Sequence, residues 1–417
     1  MSFFRINIYL KIKLYIFSLF LGKKNLSNSI EKLIKKNTKK KYFILTSQLR
    51  VGFILLLEFL RKKYPKKNEI IFSPYNLEEM INIATNLKYK TKFCDLIEKN
   101  GFFSIKELNK KINKKTLAVV LTNMFNSRKD SLALKKLCKR RKIILIEDNA
   151  IYFDNYSAIK NKKIYAGSIG DYSLNSFNIM KNISALYGGG VATNNINFLN
   201  YSNKRLNSFI KFPKKFLLKQ SIIYFLLKIL SINFFYKILF LKIVRYAHLN
   251  NNLILLKLFY PSLKFKKKKF PNFYFSKISN LSKKMIYLQL IDEESRKENH
   301  DIRKKKNIYY QKLIKDEKIK QINIFPINDN NFQNFTDFPI ITKNKDKLNR
   351  FLLKNGIETK VLHYKNCAKT FKYGTNSCKT ADKFEKSILC LPNHHKITEE
   401  YMSYIINKIS NFYSGKK

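Results

Sequence analysis

Ile143-Ile144-Leu145-Ile146-Glu147-Asp148, then Gly167-Ser168-Ile169-Gly170-Asp171-Tyr172-Ser173-Leu174-Asn175-Ser176-Phe177-Asn178-Ile179-Met180-Lys181-Asn182, then Gly188-Gly189-Gly190-Val191-Ala192-Thr193: these three pieces, in order, decide the reading of the chain. The first is an apolar run that ends in an acid, Asp148. The second contains a strand-like run that ends at Ser176-Phe177, and Lys181 follows four residues after that phenylalanine. The third is a glycine triplet leading into another short β-prone run. In open α/β sheets, ligands collect beyond the carboxyl ends of the strands. Asp148 and Lys181 both fall at or just after such ends.

Outward from this stretch, strand-like runs at Tyr42–Thr46, Glu69–Ser73, Lys88–Cys94, Leu117–Thr122 and Lys142–Glu147 alternate with helical segments at Leu49–Lys62, Leu77–Leu87, Ile105–Ile112 and Ser131–Arg141. Such βαβα alternation predicts a mostly parallel sheet with helices on both faces. Toward the other end, strands are expected at Ile322–Phe325 and Asp337–Thr342, and a helix at Lys345–Asn355. A last helix is capped by Thr398, carries Glu399 and Glu400 in its first turn, and buries Met402, Ile405, Ile406, Ile409 and Phe412. The expected division is an N-terminal arm (1–29), a large domain (30–275) and a small C-terminal domain (276–417).

An acid and a lysine at strand ends are what a pyridoxal phosphate site needs. The lysine amine links to the cofactor aldehyde, and the acid keeps the pyridine nitrogen protonated so that the ring accepts electrons. Four motifs sharpen this: Glu147-Asp148-Asn149-Ala150, Gly167-Ser168-Ile169-Gly170-Asp171, Ser176-Phe177-Asn178-Ile179-Met180-Lys181-Asn182 and Gly189-Gly190-Val191-Ala192-Thr193-Asn194. In this order they resemble the sugar aminotransferases of the DegT/DnrJ/StrS group, fold-type I enzymes dependent on pyridoxal phosphate. The resemblance resumes at Lys277-Ile278-Ser279-Asn280-Leu281, Gly356 through Tyr364, and Leu389-Cys390-Leu391-Pro392-Asn393-His394. It covers about residues 30–200 and 270–415. It implies an α/β fold: a mostly parallel, seven-stranded-type sheet in the large domain and a smaller α+β domain after it.

The resemblance also implies roles. Lys181 is the catalytic, cofactor-linked lysine, Asp148 faces the pyridine nitrogen, and Ser176 donates to the phosphate, with Asn182 beside the lysine. Thr46-Ser47-Gln48-Leu49-Arg50 opens a helix, where Ser47 and Gln48 can hold the phosphate or Ser47 can serve only as an N-cap. Tyr75 is the candidate for stacking on the ring or for a core aromatic. His363 and Tyr364 line the sugar pocket or are structural. Lys277 stands for an arginine that reaches the partner subunit's cofactor in a homodimer with shared sites. The chain departs from the family pattern at Leu49 (glycine), Ile151 (glutamine) and Phe275 (asparagine). Lysine at 181 argues against the dehydrating branch, which has histidine there. The implied substrates are a nucleotide-linked keto-sugar and an amino-acid donor.

The formal net charge is +55, with Lys, Asn and Ile over-used throughout and no Trp. Compositional drift toward lysine explains this, and so does a selected polyanion surface; nucleic acid is the less favoured partner. Five cysteines at irregular spacings, with no C-x-x-C pair, fit a reducing cytoplasm, and no zinc template or other metal site is matched. Residues 1–24 and the insertion 205–268 are apolar, aromatic and basic, without an acid. No uncharged run is long enough to span a bilayer. These segments pack on the body or a subunit interface, or lie on a membrane face; Lys264–Lys269 reads as a linker or a phosphate-attracting collar. Two functions therefore stand: an active keto-sugar aminotransferase, and a degenerate relative that binds membranes or polyanions.

Overall fold

Seven strands build the central sheet of the computed structural model: β1 (Tyr42–Thr46), β2 (Glu69–Phe72), β3 (Lys90–Phe93), β4 (Thr116–Thr122), β5 (Ile144–Asn149), β6 (Tyr172–Ser176) and β7 (Gly189–Thr193). The structure describes residues 2–5, 8–124, 128–159, 162–252, 254–255, 270–326, 337–373 and 378–415. The strand order is β1-β7-β6-β5-β4-β2-β3, and only β7 runs against its neighbours. Strands β2, β4, β6 and β7 are buried along their whole length, as a sheet covered on both faces requires. The expected strands and helices of this half are all present, with ends shifted by a few residues.

The register sets the working edge. Thr46 lies opposite Gly189, and Gly189 opposite Ser176, so the ends of β1 and β6 meet across the start of β7. On the other side of β6, Asn175 pairs with Asn149 and Leu174 with Asp148, and Asp148 pairs with Thr122. One line of carboxyl ends therefore carries Thr46, Ser176, Asp148 and Thr122.

Glu147 locks this register. Its buried carboxylate accepts from Gly167 N–H at 3.2 Å, Ile169 N–H at 3.0 Å and Gly170 N–H at 2.6 Å. Gly167 has φ +89°, and a Cβ there would sit 2.4 Å from Ser173 Oγ, so only glycine closes the loop. Asp171 then accepts from Leu145 N–H at 2.8 Å and pairs with Lys135, while the Lys40 amine donates to Ser168 O at 3.1 Å and Gly170 O at 2.5 Å. The Gly-Ser-x-Gly-Asp motif is thus a clasp between β5 and β6.

The small domain is a three-stranded antiparallel sheet, β8 (Ile322–Ile324), β9 (Phe338–Thr342) and β10 (Ile388–Leu391), with β9 central. Helices at Glu293–Asp316, Lys345–Lys354 and Glu399–Ser414 accompany it, the last capped by Thr398 as expected. Tyr75-Asn76 pairs with Lys365-Asn366 to form a short ladder joining the two domains. The helix Asn280–Ile291, which the boundary at 276 assigns to the small domain, packs on the first body: Gln289 bonds both Ser184 N–H (2.9 Å) and Ser184 O (2.7 Å).

The N-terminal arm packs on the body. It contains α1 (Ile12–Phe20), and α2 (Leu26–Thr38) begins within it and runs on past residue 29 toward β1. Arg5 pairs with Glu358 at 3.2 Å, Phe4 packs edge-on against Phe240, and Tyr15 stacks on Tyr224 at 4.9 Å. Tyr224 and Phe240 belong to the insertion, whose two helical segments, Lys214–Leu230 and Asn233–Leu249, meet at 83°. The second includes a π turn, Tyr236–Phe240. Among the described residues no single helix is long and apolar enough to cross a membrane. The basic run Lys264–Lys269 lies outside the described residues.

Replacing Glu147 by Ala strands three buried N–H donors, each costing about 1–3 kcal/mol. We expect E147A to lose about 3–5 kcal/mol of unfolding free energy in a denaturant titration, while E147Q, which keeps the acceptor oxygen, loses less than half of that.

Candidate active site

Asp148 is the residue after the clasp's Glu147 on β5, so alternation along the strand sends its side chain to the opposite face. It is 4% exposed, and its Oδ1 accepts from Ala150 N–H at 3.0 Å. Burial raises its pKa to about 6; the Ala150 bond, Lys181 and Arg50 pull the other way and do not overcome it. Asp148 and Lys181 are thus electrostatic neighbours.

Lys181 sits in the turn after β6. Its own N–H donates to Asn178 O at 2.9 Å, and Ser184 Oγ donates to Lys181 O at 2.6 Å. Part of the residue is open to solvent, yet desolvation of its amine is the largest influence and lowers its pKa to about 8. Lys360 and Arg50 push the same way; Asp148 and Asp337 oppose. At pH 7 roughly one amine in ten is then neutral, against far fewer for an ordinary lysine. Asn182, expected beside the cofactor, braces this turn: its Nδ2 donates to Phe153 O at 3.0 Å, and its Oδ1 accepts from Arg303 at 2.9 Å.

The phosphate end lies where β1 gives way to the helix α3 (Leu49–Lys63). Gln48 occupies the cap position without a side-chain bond to the helix, leaving the first-turn N–H groups to other partners. Ser47 is fully buried, and its hydroxyl has no hydrogen-bond partner among the described residues. Gln48 is buried as well, and so is Ser176 across Gly189. A Cβ on Gly189 would stand 2.2 Å from Leu49 N, and one on Gly52 would stand 2.7 Å from Val191 Cγ2. The close approach that a glycine at 49 would serve is therefore made by Gly189 and Gly52, and Leu49 goes into the core.

The remaining candidates divide. Tyr75 is 1% exposed, with its ring 5.6 Å from Tyr364 and 5.8 Å from Phe384, so it is a pillar between the domains. Burial pushes the Tyr364 hydroxyl well up, with the Asp148 charge adding to it, so Tyr364 lies within electrostatic reach of Asp148. His363 is exposed at the surface; partial desolvation and then Arg5, Lys360 and Lys365 hold its pKa down. Lys277 is exposed. Phe275 packs edge-on against Phe209 at 5.7 Å, which explains why an apolar residue is tolerated there.

Two groups escaped the sequence reading. Arg50, on the first turn of α3, pairs with Glu79 at 2.9 Å and donates to Tyr274 Oη at 3.4 Å, and its charge reaches both Asp148 and Lys181. Lys360 pairs with Asp337 at 2.5 Å across from Lys181. Only Arg50 had a local signal, its place at a helix start. The residues present suit pyridoxal phosphate: an unpartnered buried hydroxyl at a helix start, a glycine floor, a carboxylate, and an amine with a lowered pKa.

The covered parallel sheet with one reversed strand, followed by a small α+β domain, defines the fold-type I class. The chain belongs to the DegT/DnrJ/EryC1/StrS aminotransferase family, whose model matches residues 18–206 and 274–410 and skips the insertion. It is 29% identical to the GDP-perosamine synthase of Vibrio cholerae over 127 residues, which is 30% of this chain and 34% of that one. It is also 29% identical to the UDP-4-amino-4,6-dideoxy-N-acetyl-beta-L-altrosamine transaminase of Helicobacter pylori over 128 residues, 31% of this chain and 33% of that protein. These matches thus span about a third of each relative's length. Among solved structures, Helicobacter pylori PseC, an aminotransferase involved in the biosynthesis of pseudoaminic acid, superposes with a TM-score of 0.72 at 18% identity, covering 100% of both chains.

Because burial raises the Asp148 pKa from 3.8 to about 6, the cofactor-free folded state holds a proton there that the unfolded chain has released. Stability from this group therefore falls as pH rises through that window and is lost above it. Cofactor-free D148N should be more stable than the wild type at pH 7.5, by about 2 kcal/mol, and the two should converge near pH 4. Urea unfolding at both pH values checks this.

Proposed function

We propose that this protein is a pyridoxal phosphate-dependent aminotransferase that aminates a nucleotide-linked keto-sugar, with glutamate or a similar amino acid as donor. The observation that carries the proposal is a buried carboxylate, Asp148, and a desolvated amine, Lys181, set as electrostatic neighbours at the ends of adjacent strands along one edge of a parallel sheet. When bound, the cofactor supplies an electron sink for the charge left as a proton departs from the carbon next to the reacting nitrogen.

The chain's own residues do the rest. Asp148, ionised above about pH 6, balances a protonated ring nitrogen. The Lys181 amine, neutral often enough near pH 7, is the group that anchors the cofactor and later moves the proton at the substrate carbon. Ser47, Ser176 and the open start of α3 suit a phosphate. Arg50 adds positive charge to the same region, which favours an anionic substrate. The exposed Lys277 suits a role toward a second subunit in a homodimer, and the five cysteines, all buried, fit a cytoplasmic enzyme. Amino-sugar or surface-polysaccharide synthesis is the setting that the relatives' names favour.

The test is direct. The purified protein should bind pyridoxal phosphate with a near-visible absorbance band. With glutamate and a GDP- or UDP-linked 4-keto-6-deoxysugar it should form 2-oxoglutarate. K181A should lose the band and at least about a hundredfold of the rate. A wild-type protein without the band contradicts the proposal.

A further inference from the structure

The insertion presents two unlike faces. Inward, Tyr224, Tyr236, Phe240 and Val244 are buried against the N-terminal arm and the small domain. Outward, Leu218, Ile222, Leu226 and Ile229 recur at helical spacing on Lys214–Leu230, Phe234 stands at the 83° bend, and Leu239 follows it. Leu218 is 65% exposed and Phe234 is 64% exposed. A helix that merely covers a core turns polar residues to water; this one turns a row of large apolar side chains to water as well. The arm extends the same surface, because Tyr15 of α1 packs edge-on to Phe225 at 5.0 Å, and α1 leaves Phe17 exposed and Phe20 80% exposed.

Charge says what covers this face. Lys214, Lys215, Lys219, Lys237 and Lys242 are exposed among these apolar groups. No Asp or Glu occurs between Asp171 and Asp292, nor before Glu31, so neither element supplies an acid. A second copy of this chain would bring the same lysines and no counter-charge, and repulsion opposes that pairing. A free polyanion would satisfy the lysines and leave the apolar tips in water. A bilayer surface bearing anionic headgroups takes both at once: the side chains enter the acyl boundary and the lysines meet the phosphates. The sharp bend suits a segment that lies in the interface plane, since neither helical segment alone can cross.

We propose that the helical segments Lys214–Leu230 and Asn233–Leu249, together with α1, form a peripheral docking surface for anionic lipid bilayers. The claim does not depend on the sugar or on catalysis. The full chain, loaded with pyridoxal phosphate, is tested by sedimentation with vesicles of phosphatidylcholine alone and with added phosphatidylglycerol, at low and high salt, with a DNA duplex as a free polyanion in parallel. The protein should pellet with phosphatidylglycerol vesicles and stay in the supernatant with phosphatidylcholine.

The variant L218S/F234S/L239S should bind those vesicles about tenfold more weakly or worse, with far-ultraviolet dichroism and hydrodynamic size unchanged. The single change F234S, should the triple variant misfold, should still weaken binding measurably. Equal pelleting of wild type and serine variants overturns the proposal and leaves charge adsorption. So does a serine variant that changes oligomeric state while binding vesicles as before, or a wild type that binds only DNA.

Discussion

A carboxylate buried without a cation in contact is costly, and the active edge of this protein is organised around one. Asp148 is sealed on β5, given a single backbone donor, and left to feel Lys181 and Arg50 through space. Nothing in the fold relieves it fully. That unrelieved charge is what a protonated ring nitrogen would neutralise, so the expense of the empty site becomes selectivity for the loaded one. The same burial that raises Asp148 lowers Lys181, and the two shifts leave the amine reactive close to neutrality.

The clasp beneath the site makes this arrangement possible. Glu147 faces away from Asp148 and is satisfied by three loop N–H groups, fixing β5 against β6 within a residue. A slip of one position would exchange the two acids and place Asp148 under the loop. The reversed strand β7 does similar work at the phosphate end. Its glycines let the backbone start of α3 come close enough for the ends of β1 and β6 to share one cradle. Adjacent acids in one strand thus have separate tasks, one holding the sheet and one facing the chemistry.

The large domain was legible because its signals are local. Short apolar runs bounded by helical segments specify a parallel sheet, and the ends of those runs pointed to Asp148, Lys181 and Ser176. What stayed hidden depends on pairings far apart in the chain. Arg50 with Glu79 and Tyr274, Lys360 with Asp337, and the ladder from Tyr75-Asn76 to Lys365-Asn366 leave no periodic mark. Tyr75 stayed open between stacking on a ring and joining the core because its burial comes from residues nearly three hundred positions later, Tyr364 and Phe384. Asn182 follows the lysine in the motif, yet its amide is taken by Phe153 and by Arg303 of a distant helix. The arm and the insertion were readable as apolar and basic, but their mutual packing through Tyr15 and Tyr224 was not.

Lysine is abundant throughout a chain that carries 83 Lys and Arg residues, so the most direct measurement asks which amine takes the cofactor. Borohydride reduction of the protein loaded with pyridoxal phosphate, followed by proteolysis and mass spectrometry, fixes the cofactor to the nitrogen that held it. One pyridoxyl group per chain is expected, on the peptide that contains Lys181. Label spread over several surface lysines, or an undiminished single label in K181A, would contradict it.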